Sequence, residues 1–193
     1  MNRAGILLFD GVEELDAIGP WEVLSAWSLQ FPEDGWEVAL CAAEAGPVTA
    51  AKTAVFTPHE VRTDDYQLIV VPGGQGTRRI LREPATLEWV RAAHRRGALV
   101  TSVCTGALVL AAAGLLAGRP VTTYHSAYDE LLELAPDCRP DRDSRWVDSG
   151  DVVTSAGVSA GIDMALHLVD RLAGTERARQ VRRAIQYDPE PPV

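Results

Sequence analysis

Cysteine is scarce in this 193-residue chain: Cys41, Cys104 and Cys138 are the three, and no CxxC pair occurs. An odd, widely spaced set argues against a disulfide framework and against a zinc site. Basic charge is short as well. Eighteen Lys and Arg stand against 27 Asp and Glu, a net charge of −9, which speaks against a nucleic acid or an anionic membrane surface as partner. Aromatic residues make up only 6%. Repeats, charge blocks and linkers are missing, so one domain over 1–193 is expected. The N-terminus, "MNRAGILLFDGVEELD", has an apolar run too short for a secretory leader and no small-residue cleavage site. A reducing cytoplasm is the expected compartment.

What the chain does have is an uncharged stretch over 98–118 that contains Cys104. At about 18 residues such a run raises the question of a membrane span. Ala, Gly, Ser and Thr dilute this one, and it divides into a β-branched piece (99–103) and an Ala/Leu piece (107–113). Strand propensity in the first and helix propensity in the second predict a buried strand running into a buried helix.

Short apolar runs alternate with helical patterns along the rest. Strands are expected at 4–10, 36–42, 66–71, 98–103 and 120–124, with hairpins over 48–61 and 144–157. Helices are expected at 17–29 (Pro20 in its first turn), 84–97, 105–117, 127–135, 160–174 and 176–187, followed by an extended tail over 187–193. This alternation predicts an α/β domain with a mostly parallel sheet. In such sheets the chemistry collects at the carboxyl ends of strands. Three loops fall there: "DGVEELD", "PGGQG" and "VCTGA".

Cys104 sits at the turn from strand to helix, in Ser102-Val103-Cys104-Thr105-Gly106. This spacing resembles the G-x-S-x-G nucleophile elbow. A helix N-terminus favours a thiolate, so the Cys104 thiol is expected to titrate below an ordinary cysteine. The start of the helix, with Thr105, offers backbone donors, and Gly73-Gly74 after the strand "LIVV" lets backbone approach a ligand closely. Cys104 also reads as an inert core thiol, and Asp16 reads equally as a helix-capping acid or as a partner of the elbow. His59, His94 and His167 read as structural or solvated, Cys41 as core, Cys138 as a surface-loop residue.

Taken in order, "GVEELDAIGPWEVL", "IVVPGG", "VCTGALVLAAAGLLAGR", "TTYH" and "TSAGVSAGIDMALHLV" resemble the ThiJ/PfpI superfamily over about 5–192. That resemblance implies a flavodoxin-like three-layer sandwich of the class I glutamine amidotransferase type. It maps the nucleophile onto Cys104 and its acid partner onto Asp16. Asp at 16, Thr105 after the cysteine and the closing "YDPEPP" look most like the isocyanide hydratase branch, which implies hydration of a small isocyanide to an N-formamide, a homodimer and no cofactor or metal. Gly74 and Thr105 become the expected backbone donors, and Gly73, Tyr124 and His125 the candidates for the pocket wall. The sequence departs from other branches: Tyr124 replaces a His that follows "TT" in many members, and Thr105 replaces the His of the protease-like branch. A Cys–His dyad and peptidase activity are therefore not expected. The same acid–thiol pair also suits a redox-sensing member, or a small-ligand sensor domain. The helix-turn-helix module that regulators of this family carry is not expected in these 193 residues.

Overall fold

A computed structural model describes residues 1–189. The chain runs through β1 (Asn2–Leu8), α1 (Glu14–Gln30), β2 (Trp36–Ala42), β3 (Val48–Thr49), β4 (Val55–Phe56), β5 (Glu60–Val61) and β6 (Leu68–Val71). It continues with α2 (Thr77–Ile80), α3 (Pro84–Arg95), β7 (Leu99–Val103), α4 (Gly106–Ala112), β8 (Pro120–Val121), α5 (Tyr128–Leu134) and β9 (Arg139–Pro140). β10 (Trp146–Asp148), β11 (Val152–Ser155), α6 (Ala160–Ala173) and α7 (Thr175–Ala184) complete it.

Seven strands form one sheet in the order β10-β11-β7-β6-β1-β2-β5. Every neighbouring pair is parallel except β10–β11, which is the hairpin. The central strands are apolar because both their faces are covered: β6 and β7 are buried throughout. From β1 the chain moves to one side through α1 to β2, and later it passes from β6 to β7 in the opposite direction. Right-handed crossovers then place the helices on opposite faces. Accordingly α1, α6 and α7 pack together on one side, and α3, α4 and α5 on the other. The result is a flavodoxin-like α/β sandwich. β1 lies between β2 and β6, so the loops leaving β1 and β6 diverge at the point where the winding reverses, the place where such sheets open a crevice.

Residues 98–118 divide as their composition predicts, into β7 and α4. Among the described residues no helix is long and apolar enough to cross a membrane. α4 stops at Ala112, earlier than expected, and Gly114 turns the chain at φ +80°.

Three expectations need correction. α1 starts at Glu14, so Pro20 falls in its second turn and Asp16 lies inside the helix; acids at 14 and 16 suit the positive end of the helix dipole. The strand expected at 120–124 shrinks to Pro120–Val121 and pairs with β9, outside the main sheet. Thr122 and Thr123 are drawn away from strand geometry by hydrogen bonds to Thr154 and to the Cys104 carbonyl. Cys138 is buried in the core, not in a surface loop. Residues 48–61 form the β3–β4 hairpin plus β5, which joins the main sheet beside β2. Of the expected tail, 190–193 lie outside the described residues.

Candidate active site

Cys104 takes φ +57° at the junction of β7 and α4. A non-glycine residue in this left-handed region is strained unless its surroundings hold it there. Here they do. The Cys104 N–H donates to the carbonyls of Ser155 (3.1 Å) and Ala156 (3.2 Å), and the Cys104 carbonyl accepts from the Thr123 hydroxyl at 2.8 Å. Gly106 lets α4 start against the neighbouring strand: a Cβ there would lie 2.0 Å from the Val71 carbonyl oxygen. The sharp turn presents the thiol at the carboxyl end of the sheet, 5% exposed as a residue.

Asp16 comes to the same place from α1 and is fully buried. Its carboxylate does not cap the helix. Oδ2 accepts the Gly73 N–H at 2.9 Å, and the Gly73 carbonyl accepts the Glu13 N–H, also at 2.9 Å. The loop after β6 is thus stitched to the start of α1. Gly73 is required by close approach: a Cβ would sit 2.6 Å from the Thr105 nitrogen and 2.7 Å from Asp16 Oδ2. The other acids of that stretch serve the hairpin instead. Asp10 accepts the Thr49 N–H, Glu14 accepts the Lys52 N–H, and Glu13 pairs with the Lys52 ammonium.

Asp16 Oδ1 is buried without a hydrogen-bond partner among the described residues, although the Cys104 thiol is near enough for each group to perturb the other. Burial pushes the Asp16 carboxyl up to about 7, against the opposing pull of the Gly73 N–H and of Cys104. Burial also pushes the Cys104 thiol up, and the Asp16 charge adds to it; the Thr105 N–H and hydroxyl oppose both by favouring the thiolate. The expectation of a thiol lowered by the helix start is therefore corrected. A seven-residue helix does not outweigh desolvation and an adjacent carboxylate. Two anions will not coexist in this enclosure, so near neutral pH the pair keeps a proton between sulfur and carboxyl. Cys41 is likewise a buried thiol, pushed up to about 12 by desolvation.

The remaining candidates divide. The Thr105 N–H is a donor that favours the Cys104 thiolate. The Gly74 N–H is committed to the Thr105 hydroxyl at 3.0 Å, so it braces the elbow and is not an open donor. Tyr124 is half-buried with its ring directly over Gly157, where a Cβ would meet it at 2.2 Å. His125 stacks on Tyr124 at 4.2 Å between ring centroids, but it is exposed, and no hydrogen bond among the described residues joins it to the pair. The other histidines are engaged elsewhere: His59 with the Leu40 N–H, His94 with Asp151, His167 with Asp148. Sequence reasoning missed Thr77 and Thr123, both buried and both hydrogen-bonded at the elbow. Nothing in "GQGT" or "TTYH" marks a threonine as a brace; that role appears only when loops distant in sequence meet.

A cavity of about 630 Å³ opens at the ends of β1 and β2, lined by Arg62, Arg79 and Arg82 among others, and it does not include Cys104 or Asp16. Among the described residues no group of three or more His, Cys, Asp or Glu could hold a metal. The site therefore offers an enclosed thiol, one proton-holding carboxyl and backbone N–H groups, suited to a small ligand attacked by sulfur.

Known proteins share this arrangement of the chain. It is 38% identical over 192 residues to an isonitrile hydratase of Pseudomonas putida, covering 98% of this chain and 80% of that protein. It is 27% identical to the glutathione-independent glyoxalase DJR-1.2 of Caenorhabditis elegans, covering 91% of each. The crystal structure of a ThiJ/PfpI family protein from Pseudomonas syringae superimposes with a TM-score of 0.89 at 28% identity, over 100% of this chain and 77% of that one. The isonitrile hydratase and the glyoxalase share the fold family and differ in reaction. The DJ-1/PfpI family model matches residues 2–171, and the chain belongs to that family.

Proposed function

We propose that this protein hydrates small isocyanides to N-formamides, with Cys104 as nucleophile and Asp16 as the group that moves protons. The observation that carries the reading is the buried acid–thiol pair: Asp16 raised to about 7 beside an elbow cysteine, with no histidine bonded to either. The likeness to an isonitrile hydratase over nearly the whole chain supports it.

An isocyanide carbon becomes a good electrophile when a proton reaches it as the nucleophile attacks. Asp16 Oδ1, which has no hydrogen-bond partner among the described residues, takes the thiol proton while sulfur bonds to the terminal carbon of R–NC. The same carboxyl then delivers that proton to the carbon, giving the thioimidate R–N=CH–S–Cys104. Asp16, ionised again, removes a proton from water as oxygen adds to that carbon and passes this proton to the nitrogen. Collapse of R–NH–CH(OH)–S expels the sulfur, Asp16 carries the hydroxyl proton to it, and R–NH–CHO is released. Water has been added across the isocyanide, and every proton is returned. Gly73 fixes Asp16 by its N–H, and the Gly74 N–H fixes the Thr105 hydroxyl beside the nucleophile. A homodimer acting on a small molecule, with no cofactor, is part of the same proposal.

The test is incubation of the wild type with a simple alkyl isocyanide, following the formyl proton by NMR. Formamide should accumulate with wild type and not with Cys104→Ser. Absence of formamide from wild type with alkyl and aryl isocyanides alike would overturn the proposal.

A further inference from the structure

The cavity of about 630 Å³ at the carboxyl ends of β1 and β2 has no part in the reaction just described. Its volume is that of a small-molecule site, and the carboxyl end of a parallel sheet is where such sites open. Leu8, Phe9 and Ile80 are core residues that line it, so its floor is apolar. Its charges are sorted by wall. The residue that follows β5 and the turn from α2 to α3 supply Arg62, Arg79 and Arg82 against one acid, Glu83. Asp10 and Glu44 stand apart from these, on the loops leaving β1 and β2, where Asp10 accepts the Thr49 N–H.

The arginines of that wall are unequally engaged. Arg79 pairs with Glu83 at 2.6 Å, and Glu83 also accepts the Thr86 hydroxyl at 3.0 Å. Arg62 is half-buried, with its guanidinium 5.4 Å from the centre of the Trp89 ring, and Nη1 donates to the Thr86 hydroxyl at 3.1 Å. No carboxylate among the described residues lies within ion-pair range of Arg62, and its other guanidinium donors have no acceptor there. Burial accordingly pulls the Arg62 guanidinium below its ordinary value, as expected of a cation without a counter-ion. Arg82 is exposed at the rim and has no ion pair among the described residues. Pro84, Ala85 and Thr86 open the twelve-residue α3 on the same wall, so the positive end of its dipole adds to the two cations. We propose that this cavity binds a small carboxylate with an apolar body. The carboxylate takes the free edge of Arg62, whose planar fork suits it and whose face is braced by Trp89, and Arg82 closes from the rim. The hydrocarbon part covers Leu8, Phe9 and Ile80. A bare phosphate would satisfy the arginines and leave that floor uncovered, and a neutral analogue would leave the Arg62 charge unpaired.

The experiment is an NMR titration of the ¹⁵N-labelled protein at fixed ionic strength with hexanoate, hexanamide and inorganic phosphate. Hexanoate should give saturable shifts at the amides of Phe9, Arg62 and Ala85 and at the Arg62 side chain. Hexanamide and phosphate should each bind at least about tenfold more weakly, the scale of one hydrogen bond to a charged group. Arg62→Gln should weaken hexanoate by at least about tenfold, and Arg82→Gln, at the exposed rim, by roughly threefold. Melting temperature is measured alongside, and Arg82→Gln decides the matter if Arg62→Gln does not fold. Hexanoate shifts that are absent or centred elsewhere overturn the proposal. So does equal binding of hexanamide or phosphate, or wild-type affinity for hexanoate in either folded variant. Binding is read without turnover, so these outcomes stand apart from whether isocyanides are hydrated.

Discussion

A carboxyl group buried without a counter-charge costs the folded state its ionisation. Asp16 shows this plainly: it has no exposure, one N–H donor, and a carboxyl raised from 3.8 to about 7. Because the native value is the higher one, the folded state holds a proton that the unfolded chain releases between about pH 4 and 7. Stability contributed by that proton is full below the unfolded value and is lost as pH rises through the folded one. Asp16→Asn keeps an acceptor for the Gly73 N–H and removes the ionisable group. Chemical denaturation should find this variant more stable than wild type by a few kcal/mol at pH 8, with the advantage vanishing near pH 4. A difference that does not change with pH would contradict the assignment. Of the site, Cys104 was legible because small residues on either side of a cysteine between a β-branched and an Ala/Leu run describe one turn. Asp16 was legible only as one of two readings, since a helix-start acid looks the same in sequence whether it caps or reaches across. The direction of the thiol shift was not legible at all, because desolvation depends on neighbours that arrive from α1.

At the level of elements, the site is a meeting of three strand ends, and glycine decides how close they come. Gly106 has the Val71 carbonyl oxygen 2.0 Å from where a Cβ would be, and that atom belongs to backbone, which cannot step aside. Gly106→Ala should therefore lower stability by at least about 2 kcal/mol, at the upper end of ordinary point changes, and disorder the elbow. Thermal melting checks it; an unchanged melting temperature would mean that α4 can start elsewhere. α1 is anchored at its far end as well. Trp27 is buried and donates to Asp34 at 2.6 Å, and Arg177 of α7 binds Asp34 at 2.7 and 3.0 Å. The long elements could be read from period and propensity. The two-residue strands and the boundaries of α1 could not. Pro20 reads as a first-turn residue by preference, and the helix keeps it in the second turn because the acids before it occupy the first.

The molecule as a whole gathers Asp16, Gly73 and Cys104 at the carboxyl ends of parallel strands, which the alternation of strands and helices was enough to expect, whereas the strand order that brings those ends together was not legible. What it does not place in sequence is the outer surface. Beside Asp16, Leu15 is exposed and Ile18 half-buried on α1, and Leu15 approaches Ile162 of α6 across Gly19. An apolar patch beside the first loop is where we expect a second copy to pack across a two-fold axis. Light scattering at micromolar concentration should return about twice 20.8 kDa. A stable monomer would remove the dimer from the account.

The central claim is that one carboxyl moves every proton the thiol needs. The measurement is kcat/KM for isocyanide hydration against pH in wild type, Asp16→Asn and His125→Ala. Wild type should rise with pH through about 7, where Asp16 ionises and becomes able to take the thiol proton. Asp16→Asn should lose at least roughly 10²-fold and the rising limb with it, while His125→Ala stays close to wild type. Near-full activity in Asp16→Asn together with a dead His125→Ala would contradict the account.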